Sequence, residues 1–274
     1  MAYDIPWGST HPGLLVYLVD LSGSMAWDDK IRRVSNIVWE VVDSLVSPCQ
    51  HMGTYRDRFH LAVIGYNQYT YDIFTGDVHA ILDKLDATEQ SMMFFDIEKE
   101  GKAQGLTHMS IAYEKAAEII RRWISSQKAK NMEIPAPVVI NITDGYPEEK
   151  NMTEAQSRDK ALRAARDLQN ISVPDGNVLL FNIHIDGAAG AEPEMKFPVA
   201  RPSDPRRGFL YDVSTELNDV FVTRAQRAGL PAAKGCRFMV SNVSDPKLLS
   251  RLVVFGSSVS GLTKSDGRCE VPIP

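Results

Sequence analysis

The sequence predicts an α/β domain with a mostly parallel sheet covered by helices on both faces. Two observations carry this reading. Short apolar runs with no polar alternation recur along the chain, the pattern of strands buried on both faces. Between them lie longer stretches with apolar residues every three or four positions, which suit crossover helices in βαβ units.

The elements follow in order. Residues 14–20 (LLVYLVD) form a buried strand. Residues 30–46 place Ile31, Val34, Ile37, Val38, Val41, Val42 and Leu45 on one helix face. Residues 59–66 read as a second strand, and 69–74, rich in Tyr, Thr and Ile after a short turn, as its antiparallel hairpin partner. A short helix is expected over 77–85. A long one follows over 110–125, where Ile111, Ala112, Ala116, Ile119, Ile120 and Trp123 recur at helical spacing. Pro135 and Pro137 stop it, and 138–143 makes another buried strand. Then come a helix over 154–168, a strand over 178–185, a helix over 215–227, a strand over 237–242 and a helix over 246–259. Two stretches break the rhythm. One is 87–105; the other is 187–209, punctuated by Pro193, Pro198, Pro202 and Pro205. The expected organisation is an N-terminal extension (1–13), one domain with two insertions (14–260) and a C-terminal tail (261–274).

The chain has 274 residues, 44% hydrophobic and 24% charged, which is ordinary for a globular protein. A net charge of −5 argues against a nucleic-acid partner, because phosphate neutralisation needs a concentrated basic surface. The longest apolar runs, 14–19 and 178–181, fall far short of the roughly 20 residues a bilayer span requires, so no membrane association is expected. Residues 1–6 lack the basic start and apolar core of a secretory signal. Cys49, Cys236 and Cys269 are odd in number and widely spaced, as reduced thiols would be. A cytoplasmic location is the expectation.

The chemistry gathers at strand ends. The first strand runs out into Asp20-Leu21-Ser22-Gly23-Ser24, a carboxylate and two hydroxyls spaced by two along a turn. The strand 138–143 ends in Asp144-Gly145, and Gly105-Leu106-Thr107 precedes the long helix. In open α/β sheets ligands bind beyond the carboxyl ends of the strands, where crossovers diverge. If the two strands are neighbours, Asp20, Ser22, Ser24, Thr107 and Asp144 converge. They offer only oxygen, which suits a hard divalent cation: Mg²⁺ first, with Mn²⁺ or Ca²⁺ as alternatives, and not zinc.

This set resembles the metal-ion-dependent adhesion site of von Willebrand factor A domains. The matching parts are Asp-x-Ser-x-Ser at 20, 22 and 24, Gly-x-Thr at 105–107 and Thr-Asp-Gly at 143–145. The resemblance implies a doubly wound, six-stranded, mostly parallel sheet with one antiparallel edge strand. It implies that Ser22, Ser24 and Thr107 touch the metal directly or in turn, and that Asp20 and Asp144 hold it directly or through water. It further implies a protein partner that offers Asp or Glu to the open coordination position. The layout is similar to bacterial members of the tellurium-resistance type, which implies a stress or defence setting and a kinase or phosphatase among the partners.

Each residue also has an ordinary reading. Ser22 and Ser24 are common in turns, Thr107 stands where a helix cap is wanted, and Asp144-Gly145 is a frequent turn pair. His108 neighbours Thr107, but a packed or solvated histidine is the simpler reading. Asn182, His184 and Asp186 share one strand face and read as packing. Asp28 and Asp29 suit the start of a helix, and Met92, Met93, Phe94 and Phe95 read as satellite core. No phosphate-binding glycine loop or nucleophile elbow is present. The enzymatic alternative is a Mg²⁺-dependent phosphohydrolase with Asp20 as nucleophile, although the position of its usual second acid is Ser22.

Overall fold

The computed structural model describes residues 3–185, 193–242, 251–252 and 255. Among the described residues, seven strands form the central sheet: β1 (Gly13–Asp20), β2 (Phe59–Tyr66), β3 (Thr70–Gly76), β4 (Val138–Thr143), β5 (Leu179–His184), β6 (Met195–Lys196) and β7 (Met239–Ser241). Their order across the sheet is β6-β7-β5-β4-β1-β2-β3. The strands from β7 to β2 run parallel, while β3 and β6 are antiparallel edges. All six expected strands are present. The seventh, β6, lies in the second insertion and spans only two residues, too short for periodicity to reveal.

Among the described residues, six α-helices with defined bounds accompany the sheet: α1 (Lys30–Val46), α2 (Val78–Thr88), α3 (Met109–Ala129), α4 (Glu154–Gln169), α5 (Pro205–Val213) and α6 (Asp219–Arg227). The pleat of β1 divides the core between its two faces. Leu15, Tyr17 and Val19 join the cluster that holds Val34, Val38 and Val41 of α1 and Phe221 of α6. Leu14, Val16 and Leu18 join Ala112, Tyr113 and Ala116 of α3 with Ala161 and Ala165 of α4. Asp20 continues the second series and so turns toward the α3 face.

Local signals explain most boundaries. Asp77 caps α2 by accepting from the Ala80 amide at 3.0 Å. Thr153 and Gln156 form a reciprocal capping box at α4. The helix expected over 215–227 begins later, at Asp219, because residues 215–217 are drawn into backbone pairing: Thr215 donates to Leu180, and Leu217 to Cys236. The helix α5 is an addition to the expected elements. Its start signals, Asp204 as N-cap and Pro205 in the first turn, lie among prolines that suggested irregular chain.

The terminal extension and the first insertion both fold onto the domain. Trp7 is fully buried and stacks on Phe59 with ring centroids 5.9 Å apart. Phe94 and Phe95 belong to the main core, whereas Met92, read as packed with them, is 45% exposed. Ser35 of α1 anchors them, its hydroxyl donating to the Phe95 carbonyl at 3.0 Å. The expected helix over 246–259 lies largely outside the described residues; Asp186, Cys269 and the tail over 261–274 lie wholly outside them. Among the described residues no helix is long and apolar enough to cross a membrane. Cys49 and Cys236 are free and buried, and burial pushes the Cys49 thiol up to about 12.

Candidate metal centre

The strands β1 and β4 are adjacent and in parallel register, with Val19 opposite Ile142. Asp20 and Thr143 therefore end neighbouring strands at the same level. From β1 the chain crosses to β2 on one side, and from β4 it crosses to β5 on the other. This is the switch point at which an open α/β sheet leaves a crevice.

Three loops meet there. The first leaves β1 through Ser22 and Ser24, whose hydroxyl oxygens are 3.3 Å apart. Its amides are fixed at once: Leu21 donates to the Tyr66 carbonyl at 2.6 Å, and Ser22 to Asp20 Oδ1 at 2.8 Å. The second loop is the end of the first insertion. Gln104 donates to the Leu21 carbonyl at 2.7 Å and Gly23 to the Gly105 carbonyl at 3.0 Å, which brings Thr107 beside the serine turn. Gly105 has a φ of +79°, a conformation glycine adopts without strain. The third loop follows β4 and carries Asp144, which accepts from Ser24 Oγ at 2.7 Å.

Thr107 closes the group. A Cβ placed on Gly145 would lie 3.1 Å from Thr107 Oγ1 and 3.5 Å from Asp20 Oδ2, so both oxygens border the same small space. The Thr107 carbonyl accepts from Glu148 at 3.0 Å, tying the second loop to the third. A partly buried ion pair also anchors the third loop. Glu149 accepts from Ser110 of α3 and from Lys160 of α4, the latter at 2.6 Å.

The structure thus brings Asp20, Ser22, Ser24, Thr107 and Asp144 together. Four of them are at most 5% exposed and Ser24 is half-buried. Among the described residues no three His, Cys, Asp or Glu side chains gather as ligands, so any cation held here relies on hydroxyls as much as carboxylates. The donor chemistry fits a hard divalent ion, which takes oxygen ligands and retains water.

Asp20 is the most strongly perturbed member. Complete burial raises its carboxyl to about 7, and the nearby Asp144 charge adds to this; Thr143 and Ser22 oppose it by hydrogen bonding to the carboxylate. Thr143 Oγ1 donates to Asp20 Oδ2 and accepts from the Gly145 amide at 3.0 Å. Both Asp20 oxygens are therefore engaged.

A cavity of about 720 Å³ opens over the group, and Ser24, Thr107 and Asp144 lie on its wall with Trp27, Met152 and Arg206. Trp27 is 68% exposed, so an aromatic surface stands beside the hydroxyls. His108 does not face this space through Nε2, which accepts from the Lys150 amide at 3.2 Å. Asp28 and Asp29 both have positive φ; Asp29 stands at the N-cap of α1, the helix start expected for it, without a side-chain cap hydrogen bond.

Two further residues escaped the sequence reading. Thr143 belongs to the Thr-Asp-Gly match, but the sequence assigns its hydroxyl no role. Lys30, seen only as the start of a helix, is 6% exposed, and its Nζ lies 2.6 Å from Asp144 Oδ2. Its signal was present: Lys30 precedes Val34 by four residues and so falls on the buried face of α1.

The manganese-loaded TRAP protein of Plasmodium vivax matches this chain with a TM-score of 0.51 at 17% identity, covering 90% of this chain and 74% of that one. The fold is the von Willebrand factor A fold. Proximal thread matrix protein 1 from the mussel byssus matches with a TM-score of 0.50 at 15% identity, covering 89% of this chain and 47% of that one. No family model and no curated protein matches the chain.

Proposed function

We propose that the chain is a protein-interaction module that holds a divalent cation on Asp20, Ser22, Ser24, Thr107 and Asp144 and captures an aspartate or glutamate of a partner protein. One observation carries this reading: these oxygen-bearing side chains, drawn from three loops, converge at the switch point of the sheet beneath an open cavity. Mg²⁺ is the first candidate, with Mn²⁺ or Ca²⁺ as alternatives. The manganese named for the Plasmodium vivax protein supports a divalent ion in this fold.

The division of labour follows from charge. Three neutral hydroxyls and two carboxylates leave a bound divalent ion much of its positive charge, which favours an external carboxylate. The Ser22 amide donates to Asp20 and the Thr107 carbonyl accepts from the Glu148 amide, so the loops that carry the donors are tied to the site. Asp144 lies on the cavity wall and Asp20 beneath it, placing the partner's approach on the side of Ser24, Thr107 and Trp27. The stress or defence setting implied by the resemblance makes a kinase or phosphatase the first partner class to test.

The expected result is that proteins retained from cell extract by the immobilised chain in Mg²⁺ are released by chelator, and that a folded Thr107→Ala variant retains none of them. Retention indifferent to chelator and to the substitution would contradict the proposal.

A further inference from the structure

We propose that Lys30 is a tethered counter-ion of this site: it balances Asp144 while no metal is bound, and it leaves that carboxylate when a divalent cation binds. The inference rests on the reading of the site as a divalent-cation centre.

The position of Lys30 makes little sense as helix chemistry. It is the first residue of α1, where the helix dipole disfavours positive charge. No acidic residue occupies the first turn, and the Asp29 N-cap makes no side-chain hydrogen bond. Burying an ammonium is unfavourable unless a partner and further hydrogen bonds compensate. The compensation comes entirely from the candidate site: Asp144 Oδ2 at 2.6 Å, with the Ser24 carbonyl at 3.4 Å.

The same contacts place the ammonium among the metal donors. Asp144 gives one oxygen to Lys30 and the other to Ser24 Oγ at 2.7 Å, so the ammonium and a donor hydroxyl share its carboxylate. Asp20 accepts one hydrogen bond on each oxygen, from the Ser22 amide and from Thr143. A divalent ion sharing Asp144 with Lys30 would meet a like charge a few ångströms away inside a poorly solvated site, where Coulomb repulsion is strong. Releasing Lys30 removes that repulsion and frees Asp144. The ammonium need not travel far, because Lys30 already borders the cavity. The consequence is a site whose metal affinity is lowered by its own lysine, so that occupancy responds to the ambient concentration of the ion.

Calorimetric titration of Mg²⁺ and of Mn²⁺ into the full chain and its Lys30→Met and Lys30→Arg variants tests this. The expected result is binding at least about tenfold tighter in Lys30→Met, and an affinity within about threefold of the native value in Lys30→Arg, which keeps the charge. The metal-free Lys30→Met protein is also expected to melt below the native protein, because Asp144 loses its counter-ion, and to show the larger rise in Tm on adding metal. Lys30→Gln carries the same expectation for affinity if the methionine variant fails to fold. Binding in the native chain that is unchanged or weaker in the uncharged variants overturns the role of Lys30 and leaves the site reading intact. Failure of native and variant chains alike to bind either ion overturns the site reading and this inference with it.

Discussion

Asp20→Asn is expected to weaken divalent-cation binding by at least about a hundredfold while making the metal-free protein more stable above pH 7. The first effect follows from removing one of only two carboxylates in the donor set; even partners that merely orient metal ligands are worth about 10–100-fold. The second follows from burial. Asp20 is fully buried, and its charged form is held there by Ser22 and Thr143 against desolvation and the charge of Asp144. An amide of the same shape keeps an oxygen for the Ser22 amide and sheds the charge. A site kept for binding would therefore sacrifice stability, and the variant would separate the two. Denaturant unfolding at pH 8 with chelator, beside calorimetric titration of Mg²⁺, reads both effects. A variant that is less stable than the native chain and binds metal normally would contradict this account of Asp20.

The second large effect is a pH dependence of opposite sense with and without metal. The Asp20 carboxyl lies near 7 in the folded chain, above its ordinary value of 3.8. Between those values the folded chain holds a proton that the unfolded chain has released. The contribution of this group to stability is thus fully present below about pH 4 and declines as pH rises, by up to about 1.4 kcal/mol per pH unit, until Asp20 is ionised above about 7. A bound cation favours the carboxylate, so metal binding weakens as pH falls below 7 and the stabilisation it confers grows toward pH 8. Unfolding midpoints at pH 5, 6, 7 and 8, with chelator and with saturating Mg²⁺, in the native and Asp20→Asn chains, isolate this group. Native and variant midpoints that stay parallel across the series would remove Asp20 as the source.

Much of this was legible in the sequence because the strands are buried on both faces. The runs 14–20, 59–66 and 138–143 are apolar before their ends except for His60 and Asn141, and each coincides with a strand to within a residue. The polar residues then mark where the sheet stops, and Asp20, Ser22, Ser24 and Asp144 could be read as neighbours once β1 and β4 were placed side by side. Thr107 was legible through Gly105. Thr143 was not, because a threonine ending a strand is unremarkable until its hydroxyl is seen to hold Asp20. Lys30 was masked by its place at the start of a strongly patterned helix. The pairing of residues 215–217 was hidden because nothing in Thr-Glu-Leu distinguishes an extended segment from a first helical turn. In β6 two residues were too few to carry a pattern.

The most direct measurement is anomalous scattering from crystals of the full chain grown with saturating Mn²⁺. The account predicts one manganese peak among the hydroxyl oxygens of Ser22, Ser24 and Thr107, with Asp20 and Asp144 bound to it directly or through water and a coordination position open to the cavity. An empty site under those conditions, or manganese bound only elsewhere, would contradict it.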